Sequence, residues 1–234
     1  MTTKSLTKNH PLAGKKMMGA DMIVQILADE GVDTIFGYSG GAILPTYDAV
    51  FRFNEENKDS DGNQPMPLIV PANEQGAGFM ASGYARASGK VGVVMVTSGP
   101  GATNTVTPIR DCMADSIPIV VISGQVPTTA IGTDAFQEAP VSAIMGAVSK
   151  HIFLVTDPLL LESTIRSAFE LAKTGRPGPV VVDIPKDIQN WEGEFLGSGS
   201  LPLTGYRNRL ETVMNNNLND ELAKNFYKLL SKSK

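Results

Sequence analysis

Short apolar runs alternate along the chain with segments of helical periodicity. The runs at 34–36, 68–70, 91–96, 117–122, 151–155 and 179–184 are bounded by glycine, proline or polar turns. Near-continuous runs such as Val91-Gly92-Val93-Val94-Met95-Val96 predict strands buried on both faces. Between them, residues 21–30, 43–53, 80–87, a stretch ending near Asp115, and 159–173 read as helices, with a shorter one at 141–147. Met22, Ile23, Ile26 and Leu27 recur at helical spacing, and Gly31 is a natural stop. Strands alternating with helices predict βαβ units: an α/β fold with an open, mostly six-stranded parallel sheet and helices on both faces. No internal repeat is visible.

The pattern changes past Pro185. Residues 193–205 are rich in Gly and Ser, and 214–219 are rich in Asn. The expected organisation is a polar tail over 1–18, an α/β domain over 19–190, a linker over 191–219 and a helix starting at Asp220. That helix would carry Leu222, Phe226, Leu229 and Leu230 on one face, a stripe that needs a partner.

Composition narrows the function classes. The chain has 234 residues, 42% of them hydrophobic, enough for a sizeable core. A net charge of −4 gives no basic footprint, so neither nucleic acid nor an anionic membrane is expected as a partner. No apolar stretch reaches membrane-spanning length. Cys112 is the only cysteine, which fits a cytoplasmic compartment, an organelle stroma being the alternative. His10 and His151 are the only histidines, and no set of side chains has metal-ligand spacing.

The chemistry gathers where strands end. In an open parallel sheet, ligands bind at the carboxyl ends of the strands. Glu74 stands there, within Pro71-Ala72-Asn73-Glu74-Gln75-Gly76-Ala77-Gly78. Burial would disfavour its bare charge and favour sharing a proton with a nitrogen base. A helix N-terminal carboxylate held by backbone N–H groups explains the same residue as well. Gly99-Pro100-Gly101 before a helix suits either a phosphate cradle or a tight turn; it is neither a Walker loop nor a dinucleotide fingerprint. Gln125 and Phe136, expected on two loops of the same edge, line a pocket on one view; on the other, Gln125 satisfies loop backbone and Phe136 is core.

Taken together the turns resemble a known family. Gly37-Tyr38-Ser39-Gly40-Gly41, Asn73-Glu74-Gln75-Gly76, Gly83-Tyr84-Ala85-Arg86-Ala87-Ser88-Gly89 and Thr97-Ser98-Gly99-Pro100-Gly101-Ala102-Thr103-Asn104 are similar to the pyrimidine-binding domain of thiamine-diphosphate enzymes. Ser123-Gly124-Gln125-Val126-Pro127, Ile131-Gly132-Thr133-Asp134-Ala135-Phe136-Gln137-Glu138 and Gly175-Arg176-Pro177-Gly178-Pro179 narrow the resemblance to acetohydroxyacid (acetolactate) synthase catalytic subunits. The resemblance implies decarboxylation of pyruvate on thiamine diphosphate and condensation with a second 2-ketoacid in branched-chain amino acid synthesis. It implies that Glu74 hydrogen-bonds a pyrimidine ring nitrogen, that Tyr38, Gly40, Gly41, Pro100 and Asn104 surround that end of the cofactor, and that Ala42, Gln125, Phe136 and Lys150 border the substrate. It further implies a site shared between subunits, in a homodimer or with a complementing polypeptide that carries the diphosphate-binding domain.

The sequence departs from the family pattern at Asn73, where the family usually has His, and at Ser39, where it usually has Pro. Gly146 falls where relatives carry an arginine that reaches the flavin. Magnesium and FAD belong to the family, but the domains that mainly bind them are not found in these residues. The expected reading is therefore a part of such a synthase, inactive without the other domains, with residues 220–234 resembling the first helix of the next domain. The alternative is a non-catalytic association module of the same fold.

Overall fold

A computed structural model describes residues 10–201, 203, 205–214 and 219–233. Two compact units divide at Leu201. In the first, the elements are β1 (Lys16–Met18), α1 (Gly19–Asp29), β2 (Ile35–Tyr38), α2 (Leu44–Glu56), β3 (Leu68–Ile69), α3 (Glu74–Ser88), β4 (Gly92–Val96), α4 (Pro100–Thr103), α5 (Val106–Asp115), β5 (Ile119–Gln125), α6 (Val141–Gly146), β6 (His151–Leu154), α7 (Leu161–Lys173), β7 (Val180–Pro185), α8 (Lys186–Gln189) and β8 (Glu192–Glu194).

Six strands form a parallel sheet in the order β3-β2-β4-β5-β7-β6. The strands are those the apolar runs predict. Alternate side chains serve two cores. On one face Phe36, Val94, Val96, Val121 and Val181 pack with Ala77, Ala81 and Ala85 of α3, Ile109 and Cys112 of α5, and Val141 and Met145 of α6. On the other, α1 packs against α2 and α7, and the intervening strand residues Val93, Met95, Val120 and Ile122 are fully buried.

The strand order creates two switch points. From β2 the chain moves outward to β3 and then returns to the other side of β2 as β4. From β5 it passes to β6 and comes back between them as β7. Crevices at such reversals are the usual ligand sites of open α/β sheets.

Four details differ from the sequence expectation. First, α3 begins at Glu74, not near Met80, so Glu74 is helical. Gly76, Gly78 and Gly83 make this a poor helix by propensity alone. Tertiary contact explains the glycine at 78: a Cβ there would lie 2.3 Å from the Pro108 side chain, so α3 and α5 approach closely only without one. Second, β5 runs on to Gln125, which places that residue in the sheet and not on a loop. Third, Lys16–Met18, expected within the polar tail, pairs antiparallel with Glu192–Glu194, expected within the linker. Phe195 follows, fully buried and edge-on to His10 at 5.2 Å. Pairing between segments this distant leaves no periodic trace in either. Residues 1–9 of the expected tail and 215–218 of the Asn-rich stretch lie outside the described residues.

The fourth lies in the second unit. It contains α9 (Tyr206–Met214), within the expected linker, and α10 (Asp220–Leu230). Asn219 caps α10 by accepting from the Leu222 N–H at 2.8 Å. Leu222, Phe226, Leu229 and Leu230 are exposed on it.

Candidate active site at the first switch point

The turns after β2 and β4 flank the first switch point, and α3 starts beside them. Asn73 sets the start of α3: its Oδ1 accepts from the Gly76 N–H at 2.8 Å, an N-cap bond. Asn73 thus has a helix-capping role of its own. Glu74 follows as the first helical residue, 9% exposed. Its Oε2 accepts from Asn104 Nδ2 at 2.9 Å. A Cβ on Gly101 would lie 3.5 Å from Oε1, at ordinary contact distance, so the start of α4 packs close to the carboxylate. Tyr47 of α2 is buried nearby, its hydroxyl donating to Met95 O at 2.9 Å. Burial, and secondarily the Glu74 charge, push this phenol well above its usual range.

Thr97 locks the two turns together. Its side chain occupies the space that a Cβ on Gly40 or on Gly101 would need, 2.5 and 2.6 Å from Cγ2 respectively. Its Oγ1 accepts from the Ala42 N–H at 3.2 Å. From the opposite side Gln189, fully buried, donates to Ala42 O at 2.7 Å and to Ile184 O at 3.0 Å. It also accepts from Thr46 Oγ1 at 2.9 Å. Gly41 has nothing near its missing Cβ, and Tyr38 and Pro100 are exposed at the ends of their elements. Tyr38, Gly40, Gly41, Ala42, Glu74, Pro100 and Asn104 therefore share one sheet edge. A polar hollow of about 240 Å³, lined by Asn73, Gln75, Thr103, Asn104 and Thr107, lies alongside.

Gln125 ends β5 at the second switch point and is buried. Its Nε2 donates to Asp183 Oδ2 at 2.9 Å and to Ala139 O at 3.4 Å, and its Oε1 accepts from the Val126 N–H at 2.8 Å. The view that it satisfies nearby backbone is thus partly met, and a buried carboxyl is added to it.

Phe136 is not core: it is 89% exposed. Its loop is tightly built. The Glu138 carboxylate accepts from the N–H groups of Gly132 and Ala135, and those bonds hold it below the usual carboxylate range. Asp134 and Gln137 take φ of +57° and +58°, a region unusual for residues other than glycine. Gly99, at φ +56°, admits the loop: a Cβ there would lie 2.5 Å from Gln137 O. The loop thus abuts the turn after β4 while its phenyl ring faces outward.

Lys150 is not brought to this edge. It precedes β6 at the opposite end of the parallel strands, and its N–H donates to Pro179 O at 2.8 Å. Its Nζ donates to Leu171 O and, at 2.6 Å, to Thr174 O, closing the C-terminal turn of α7. Burial lowers its pKa. Within this chain its contacts are those of a helix-end clamp.

Thr97, Tyr47, Gln189 and Asp183 escaped sequence reading. Thr97 lies within the Thr97–Asn104 run, where a threonine by itself signals no role. The others carried no local signal, because what marks them is burial with distant partners.

Residues 17–145 match the family described as thiamine pyrophosphate enzyme, N-terminal TPP binding domain. The chain is 53% identical over 172 residues to the mitochondrial acetolactate synthase catalytic subunit of Saccharomyces cerevisiae, covering 74% of this chain and 24% of that protein. It is 46% identical over 201 residues to the acetolactate synthase large subunit of Corynebacterium glutamicum, covering 86% and 30%. It is 44% identical over 198 residues to the chloroplastic acetolactate synthase of Arabidopsis thaliana, covering 82% and 27%. The chain thus spans about a quarter to a third of the length of these relatives.

Proposed function

The chain belongs to the thiamine pyrophosphate enzymes through their N-terminal TPP binding domain, and on that premise we propose that it forms the pyrimidine side of an acetolactate synthase site. The reaction condenses pyruvate with a second 2-ketoacid. The observation that carries this reading is the Glu74 carboxylate, buried at the head of α3 beside the first switch point and oriented through Oε2 by Asn104. A nitrogen heterocycle fits such a group: Asn104 engages Oε2, which leaves Oε1 for a ring nitrogen.

Thiamine diphosphate, when bound, supplies the carbon chemistry. The residues of this chain position it and handle a proton. Glu74 holds or shares that proton with a pyrimidine nitrogen, and Asn104 keeps the carboxylate oriented. Tyr38, Gly40, Gly41 and Pro100 form the walls at that end. Ala42, Gln125 and the outward Phe136 face the substrate side. Lys150 reaches substrate only from a neighbouring subunit, because its own domain places it at the far edge. The diphosphate, its magnesium ion and any flavin are held by parts outside these residues, in a homodimer or a complementing polypeptide. Among the described residues no helix is long and apolar enough to cross a membrane. The buried thiol of Cys112 fits a reducing compartment, cytoplasm or organelle stroma.

The alternative of a non-catalytic association module drew partly on Asn73. The N-cap bond that Asn73 accepts from the Gly76 N–H accounts for an asparagine there on either reading.

The test is complementation. This chain is combined with a polypeptide supplying the remaining domains of an acetolactate synthase, and product formation is measured. Glu74→Gln is expected to lower turnover by about 10²–10⁴-fold. Near-normal turnover in that variant would remove Glu74 from its role. The chain alone is expected to show no tight, magnesium-dependent binding of thiamine diphosphate by calorimetry.

A further inference from the structure

Among the described residues, one buried side-chain oxygen has no hydrogen-bond partner: Oδ1 of Asp183. A buried polar atom without a partner calls for an explanation. Asp183 is 1% exposed, in the middle of β7. Its register partner on β5 is Ser123, and strand alternation puts Ser123, Gln125 and Asp183 on the face covered by α6. No described cation pairs with it.

We infer that Asp183 is a positioning residue for the candidate site, fixing the Gln125 amide at the second switch point. Asp183 Oδ2 accepts from Gln125 Nε2 at 2.9 Å, and the Val126 N–H donates to Gln125 Oε1 at 2.8 Å. These two bonds demand opposite ends of the amide, so rotating it by half a turn would lose both. The inference rests on the proposed function only in giving Gln125 a place beside substrate; the geometry stands without it.

The orphaned oxygen follows from the protonation state. A bare carboxylate buried without a cation is costly. The neutral acid avoids that cost and carries its proton on Oδ1, the oxygen that no donor engages. The Ser123 hydroxyl, at the register partner of Asp183, donates to Gly124 O at 3.1 Å. The groups around Asp183 do not oppose this. Nothing on α6 titrates, Glu138 ahead of α6 is turned to the Gly132 and Ala135 amides, and Lys150 and His151 sit at the other end of the strands. On α8, Asp187 is engaged by Thr128 and Lys186 lies beyond the strand end.

The experiment uses the 234-residue chain without cofactor. Hydrogen exchange at the Gln125 side-chain amide is followed by NMR in the wild type, Asp183→Asn and Asp183→Ala. Asparagine keeps an acceptor for Gln125, so Asp183→Asn should exchange like the wild type. Asp183→Ala should exchange at least about tenfold faster with the backbone spectrum retained. Infrared spectra near pH 6 should show a protonated-acid carbonyl band that Asp183→Asn lacks. If Asp183→Ala does not fold, the asparagine variant decides. Accelerated exchange in Asp183→Asn, unchanged exchange in a folded Asp183→Ala, or no acid band would overturn the inference. None of these readouts depends on thiamine diphosphate, so they stand or fall apart from the proposed function.

Discussion

Asn104 Nδ2 donates to Glu74 Oε2 across 2.9 Å, joining the turn between α4 and α5 to the first residue of α3. The bond spans the switch point and fixes the carboxylate on which the proposed chemistry depends. Replacing Asn104 with Ala removes the donor from this part-buried, charge-assisted bond. We expect a loss of about 1–3 kcal/mol in urea unfolding, and in a complemented enzyme a turnover defect that mirrors a milder Glu74→Gln. An unchanged unfolding midpoint would show that Oε2 finds another donor.

The glycines of the two turns are not equivalent. Gly40→Ala and Gly101→Ala each drive a methyl group into Thr97, which is itself buried and hydrogen-bonded to Ala42. Each should cost about 1–3 kcal/mol by overpacking. Gly41→Ala meets nothing within 4 Å, and its stability should stay within about 0.5 kcal/mol of the wild type. Thermal unfolding of the three variants checks the ranking.

Lys150 separates location from resemblance. Its ammonium closes the C-terminal turn of α7 through Leu171 O and Thr174 O. Lys150→Met should destabilise this chain by about 1–2 kcal/mol even without substrate. Denaturation by urea at neutral pH measures it; an effect near zero would mean that the carbonyls are satisfied by water.

Asp183 predicts an unusual pH dependence. Burial pushes its pKa up to about 7 from 3.8, while the Gln125 and Ser123 hydrogen bonds pull it down. A carboxyl raised in the folded state binds more protons there than when unfolded. Its stabilising contribution is therefore complete below about pH 4 and is lost as the pH rises through about 7, on the order of 4 kcal/mol in all. Most surface carboxylates act the other way. Urea midpoints between about pH 5 and 8 should fall with pH more steeply in the wild type than in Asp183→Asn. Parallel curves would place the proton elsewhere.

The sequence by itself determined the layered α/β fold, its parallel strands and the order of its turns. These depend on local properties: apolar runs of strand length, helical spacing, and glycines where the backbone turns sharply. It also pointed to Glu74, because a carboxylate at a strand end is visible in one dimension. Tertiary structure alone decided the rest. The β1–β8 pairing, the clamp of Thr97 on Gly40 and Gly101, the Gln189 bonds to Ala42 and the burial of Asp183 join residues far apart in the chain. A polar side chain reads the same in sequence whether solvated or buried, and only the fold determines which. The same holds for Phe136 and Lys150. An aromatic in a polar loop and a lysine before a strand look ordinary until a stapled loop turns one outward and a helix end takes up the other.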